Sequence, residues 1–147
     1  ILPTLKSRCL SFKINLTFEK SIQVSNQILN DNVFNLLNPD LISFYNTPGE
    51  IINLINFSKD KKINLKDYTL IDLIKFLIDN SYYKKNKFIK ILLIDFIELF
   101  FLKEYKLCKS KKTIAYFYNY FINKIYDSER FNLDEESLFL EFKSKLL

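Results

Sequence analysis

A chain of 147 residues, 48 % apolar and 27 % charged, is long enough for one domain or two small ones and apolar enough for a sizeable core, which excludes global disorder. One Gly and three Pro exclude collagen-like and Gly-rich classes and disfavour a turn-dense β sandwich; the lack of His excludes a His general base and a His-containing zinc site. Two cysteines, Cys9 and Cys108, are too few for a disulfide framework, which fits a reducing, cytoplasmic setting, and a net charge of +5 permits nucleic-acid proximity without requiring it.

The chain opens on Ile1 with no basic, then apolar, leader pattern, and reads as the remainder of a longer chain. Its longest apolar stretch, Phe88 to Leu102, is broken by Lys90, Asp95 and Glu98 and falls short of the ~18–20 residues that span a bilayer. In residues 1–9, ILPTLKSRC, Pro3 is placed to open a short helix. LSFKI at 10–14 alternates, so Leu10, Phe12 and Ile14 share one face of a strand. That strand needs a sheet for which the sequence offers no partner.

Thr17 is a helix cap for residues 18–29, with Phe18, Ile22, Ile28 and Leu29 as apolar positions. Asn38-Pro39 and Thr47-Pro48 repeat the cap signal, the first ahead of Leu41, Ile42 and Tyr45, the second ahead of Ile51, Ile52, Leu54 and Ile55. Three short helices thus form a small unit over residues 16–60. The polar run SKDKKINLKD at 58–67 reads as a linker and domain boundary.

Longer helices follow in residues 61–147. One covers about 67–80. A second covers about 86–105, where Lys87, Lys90, Asp95 and Glu98 occupy less than half the circumference, so it belongs at the centre of a bundle. A third, about 110–126, carries Ile114, Phe117, Tyr118, Phe121, Ile122, Ile125 and Tyr126 at unbroken 3-4 spacing. Asp134 or Asn132 caps a last helix that aligns Leu138, Phe142 and Leu146. The fold class is all-α: a three-helix unit, then a four-helix bundle.

No Gly-rich phosphate loop, metal-ligand spacing or nucleophile–His pair occurs. Asp95/Glu98 and Asp134/Glu135/Glu136 read as solvated or capping carboxylates. The aromatic residues of 116–126 read as core before base-stacking, and the lysines of 59–66, 84–90 and 103–112 as solvated surface before phosphate contacts.

Leu2-Pro3-Thr4-Leu5-Lys6-Ser7-Arg8-Cys9, followed by the apolar strand LSFKI, resembles the Ser-Arg-Cys motif of the AAA+ clamp-loader subunits. That family orders an ATPase-type α/β domain, a helical lid and a C-terminal helical collar. The resemblance implies that residues 1–15 end the ATPase-type domain, 16–60 form the lid and 61–147 form the collar that assembles the ring. ATP-binding members carry a sensor Arg soon after a Gly in the lid. Here Asn46-Thr47-Pro48-Gly49-Glu50 has Glu50 and no Arg, and is similar to the Ser-Pro-Gly segment of the delta-prime type of bacterial subunit, which does not use ATP.

By this resemblance Arg8 is an arginine finger, with Ser7 and Cys9 as positioning and packing residues. A guanidinium, always charged and forked, suits the γ-phosphate of a neighbouring subunit. The resemblance further implies that the chain itself binds no cofactor and is not an enzyme alone, with ATP and Mg belonging to the neighbour. The implied partners are the gamma/tau and delta subunits and, through the complex, the sliding clamp and primed DNA, with no membrane. The family's zinc module would lie ahead of residue 1. Three rival readings stay open: an ATP-binding gamma/tau or replication factor C small subunit, a free-standing helical interaction domain, and a helical nucleic-acid-binding module.

Overall fold

The computed structural model describes residues 16–43 and 46–147. Among these the backbone forms α1 (Phe18–Leu29), α2 (Val33–Leu36), a 3-10 turn (Pro39–Leu41), α3 (Pro48–Lys61), α4 (Leu70–Asp79), α5 (Tyr82–Lys85), α6 (Lys87–Leu107), α7 (Lys111–Phe131) and α8 (Glu135–Leu146), with no strand. The all-α expectation holds for these residues. The helix expected in 1–9, the strand expected at 10–14, and Tyr45 lie outside them.

Side chains next to most helix starts supply their local logic, α5 and α7 being the two that begin without a capping side chain. Thr17 accepts from the Lys20 N–H at the head of α1. Thr47 and Glu50 form a reciprocal capping box on α3, and Thr69 and Asp72 do the same on α4. Asp134 caps α8, whereas Asn132, the alternative, ends α7 in the left-handed region at φ 52°. The helix expected after Asn38-Pro39 shrinks to a 3-10 turn: Ile42 is already extended, and the Asp40 side chain is engaged elsewhere. The polar run 58–67 is a connection only from Lys62 onward. Lys and Asp are compatible with helix, so α3 continues to Lys61, with Ser58 buried and donating to the Ile55 carbonyl at 2.7 Å. Leu65, the apolar exception in that run, is 1 % exposed, and its carbonyl accepts the Asn38 N–H at 3.2 Å.

A continuous cluster of buried apolar side chains runs from Ile22 to Phe142. Helix α6 is its axis, burying Ile89, Leu92, Leu93, Phe96, Ile97 and the run Leu99–Phe101. Phe142 of α8 meets Phe100, Phe101 and Phe121 edge-on, with ring centroids 5.6, 5.8 and 5.3 Å away. Such aromatic pairs each add about 0.5–1.5 kcal/mol beyond the area they bury.

Asp40 ties the 3-10 turn to two distant helices. It accepts the Leu70 N–H at 2.7 Å and pairs with Lys103, which also donates to the Asp40 carbonyl at 2.6 Å. Partial burial alone would raise its pKa; Lys103 and the Leu70 N–H outweigh that and hold it below the ordinary aspartate value.

Some expected core positions face water. Ile28 is 58 % exposed, because six residues of helix rotate it about 120° away from buried Ile22. Tyr116 and Tyr126 are about two-thirds exposed, since α7 packs on α6 and α8 and keeps its outer face in solvent. Their phenol tips tolerate that position.

The chain has a single Gly, and residues with side chains occupy the left-handed positions at Asn30, Lys62, Ser81 and Asn132. Asn adopts this conformation readily; Lys adopts it at a steric cost. Lys62→Gly is therefore expected to stabilise the fold by about 0.5–1 kcal/mol. The expected reading is a higher urea midpoint with an unchanged slope; an unchanged or lower midpoint would show that the strain is absent.

Candidate functional site

The first turn of α3, the middle of α6 and the start of α7 enclose an open groove of about 580 Å³. From α6, Asp95, Glu98, Leu99, Leu102 and Tyr105 follow one another at helical spacing, so they line one side over about 15 Å. Ile114, Ala115 and Tyr118 form the α7 side, and Ser43, Asn46 and Glu50 close the end near α3. The lining carries three carboxylates and neither Lys nor Arg.

Glu50 is held in place by its capping role. Its carboxylate accepts the Thr47 N–H at 2.9 Å and the Asn46 amide at 3.3 Å. Asn46 in turn accepts the Ser43 N–H at 2.6 Å. Asp95 and Glu98 project from α6 and take part in none of the ion pairs among the described residues. Reduced hydration on the concave wall, then the negative charges of Glu50 and Glu98, push Asp95 up to about 6. Its carboxylate still reaches solvent, so the raised value reflects a thinned hydration shell and mutual repulsion, not a fully buried charge. Tyr118, facing Glu98 across the groove, is likewise raised, by burial first and then by that carboxylate.

The three carboxylates are not placed to hold a metal ion, and no group of three or more Cys, Asp or Glu side chains among the described residues is. Apolar walls with acids at one end suit a ligand that is itself apolar and cationic.

Arg8, Ser7 and Cys9 lie outside the described residues. Glu50 caps α3 and also lines the groove. Asp134 caps α8 as expected, whereas Glu135 and Glu136 are neither caps nor simply solvated: they pair with Lys90 and Lys84 of the neighbouring helices. Several lysines of the clusters are similarly occupied, Lys61 over the Tyr82 ring, Lys103 on Asp40 and Lys111 over the Tyr105 ring. No helix among the described residues is long and apolar enough to cross a membrane. The groove itself is not legible as a site in the sequence. Its one available signal is Ala115, the only Ala of the chain, set in a helix whose other inward apolar positions are large.

The raised Asp95 value has a definite sign for stability. A carboxyl easier to protonate in the folded than in the unfolded chain weakens the fold when ionised. The penalty is complete above about pH 6 and is relieved as pH falls toward the ordinary aspartate value of 3.8. Asp95→Asn is thus expected to raise stability at pH 7.5 by roughly 1 kcal/mol after solvent screening, with the gain vanishing near pH 4. Urea titrations at both pH values test this; a less stable variant at pH 7.5, or a gain that persists at pH 4, would contradict it.

Compared with protein-family models, curated proteins and solved structures, the chain shows no significant match.

Proposed function

We propose that the chain is the lid and collar portion of a delta-prime-type subunit of the bacterial DNA polymerase III clamp loader. The observation that carries this reading is the eight-residue segment Leu2–Cys9 with the apolar alternation of 10–14 behind it. An all-helical continuation, with short helices ahead of a bundle of longer ones, is compatible with lid and collar. At Glu50, a carboxylate committed to a helix cap stands where an ATP-binding member would present an Arg. A negative group there repels phosphates, which favours the delta-prime type over gamma/tau.

In this reading the subunit has no catalytic cycle of its own. Its collar joins the gamma/tau and delta subunits into a ring. Arg8 enters the ATP site of a neighbour, where its guanidinium neutralises charge that develops on the transferred phosphoryl group. Fingers supplied in trans contribute about 10³–10⁵ in rate in well-studied GTPases. Ser7 and Cys9 position the loop that carries it. ATP hydrolysis in the assembly then drives placement of the sliding clamp on primed DNA.

Substitutions at the two ends of the chain test the division of labour in the full-length subunit. Arg8→Ala is expected to leave ring assembly intact and to lower clamp- and DNA-stimulated ATP hydrolysis severalfold, since one of several sites is impaired. Lys at that position should not rescue, because it lacks the fork. Phe121→Asp places a charge at a position 1 % exposed and should abolish entry into the ring on gel filtration. Unchanged hydrolysis with Arg8→Ala, or failed assembly with that variant and normal assembly with Phe121→Asp, would refute the assignment.

A further inference from the structure

Beyond this reading, and using none of the Ser-Arg-Cys residues, the groove between α6 and α7 has the character of a docking site. Its α6 side runs about 15 Å, close to three turns of a second helix. The apolar groups along it are not wholly covered: Leu102 and Tyr105 are each 42 % exposed and Tyr118 36 %. Exposed apolar side chains gathered in one concavity, with polar groups at its edge, mark binding surfaces more often than isolated ones do.

Charge narrows the choice of occupant. The chain as a whole carries +5, yet this concavity gathers Glu50, Asp95 and Glu98 with no cation in its lining. Lys111, at its far end, lies over the Tyr105 ring at 5.3 Å. Glu50 is met by the Thr47 N–H and the Asn46 amide, but an anionic or neutral apolar occupant would leave Asp95 and Glu98 facing it with no cation. A second copy of the chain would bring its own net positive charge but would also have to overcome the repulsion between two such molecules. A helix that places Lys or Arg beside large apolar side chains matches both the charged end and the apolar walls.

Ala115 gives the groove its depth. Every other apolar residue named on its walls is larger, and the small side chain leaves α7 open to close approach. We propose that the α6–α7 groove receives an amphipathic basic helix of a partner protein, its cation set among Glu50, Asp95 and Glu98 and its apolar face on Leu102, Tyr105 and Tyr118.

The test uses the 147-residue chain and a fluorescein-labelled 14-residue helical peptide of Leu and Lys in amphipathic register, read by fluorescence anisotropy at pH 7.5. Saturable binding is expected for this peptide and not for the same peptide with Glu in place of Lys. The double substitution Asp95→Asn, Glu98→Gln should weaken binding by about tenfold or more. Ala115→Phe, which fills the groove, should do the same, with circular dichroism reporting retention of helix. Asp127→Asn, three turns further along α7, should change the affinity less than twofold. Equal binding of the Glu peptide, or affinity unchanged by the Asp95/Glu98 pair, would overturn the proposal. So would sedimentation showing a dimer of the chain that the pair dissociates, because the occupant would then be a second copy.

Discussion

The structure depends on one helix that packs against its neighbours on most sides and keeps one side open. Helix α6 is flanked by α4, α5, α7 and α8, through shared contacts or through the ring cluster around Phe142. Eight of its residues are buried. Its open side carries Ile91, Leu102 and Tyr105 together with Asp95 and Glu98. Lys90, near its start, meets Glu135 where α8 begins. Asp95 and Glu98, one and two turns on, meet no cation because α7 presents Ile114, Ala115 and Tyr118 there. The acidic groove is therefore the place where a central helix deposits the charges that keep it from being apolar throughout, and α7 leaves that place open.

The starts of α1 and α3 were legible because each depends on a few adjacent residues, whereas the short helices α2 and α5 were not foreseen. Thr17 and Thr47 act as the caps their neighbours suggest, and the 3-4 pattern of α7 puts Phe121, Ile122 and Ile125 in the core. What the pattern cannot give is the arc that a neighbour covers. Tyr126 belongs to the same numerical series as Phe121 and Ile122, yet lies in solvent, because α7 has a partner on only part of its circumference. Asn38-Pro39 carries a valid helix-start signal, but the turn stops after three residues once Asp40 turns to Leu70 and Lys103, 30 and 63 positions away. No local window contains those partners.

The candidate site was hidden for the same reason. Asp95 and Glu98 interrupt an apolar run and read as solvated, which their exposure bears out. Their significance comes from Glu50, more than forty residues earlier, and from a gap above Ala115 that depends on helix packing. The segment that carries the functional reading behaves in the opposite way. Residues 2–9 are informative as a string of side chains, and their meaning rests on the order of residues rather than on any contact described for them.

The Asp40 clasp also bears on the order in which the chain assembles. Helices α4, α5 and α6 are joined by connections of only a few residues, so their contacts close short loops. Asp40 must close intervals of 30 and 63 residues to reach Leu70 and Lys103. Loop-closure entropy rises with interval length, and contacts that span long intervals form after local ones. The clasp is thus a late event that fastens onto helices already in place. Interactions absent from the folding transition state slow escape from the native state without hastening arrival. In kinetic terms Asp40 acts as a latch on the 3-10 turn, slowing its release from α4 and α6 more than it hastens its docking, while the buried side chains from Ile22 to Ile55 hold the first helices to the core.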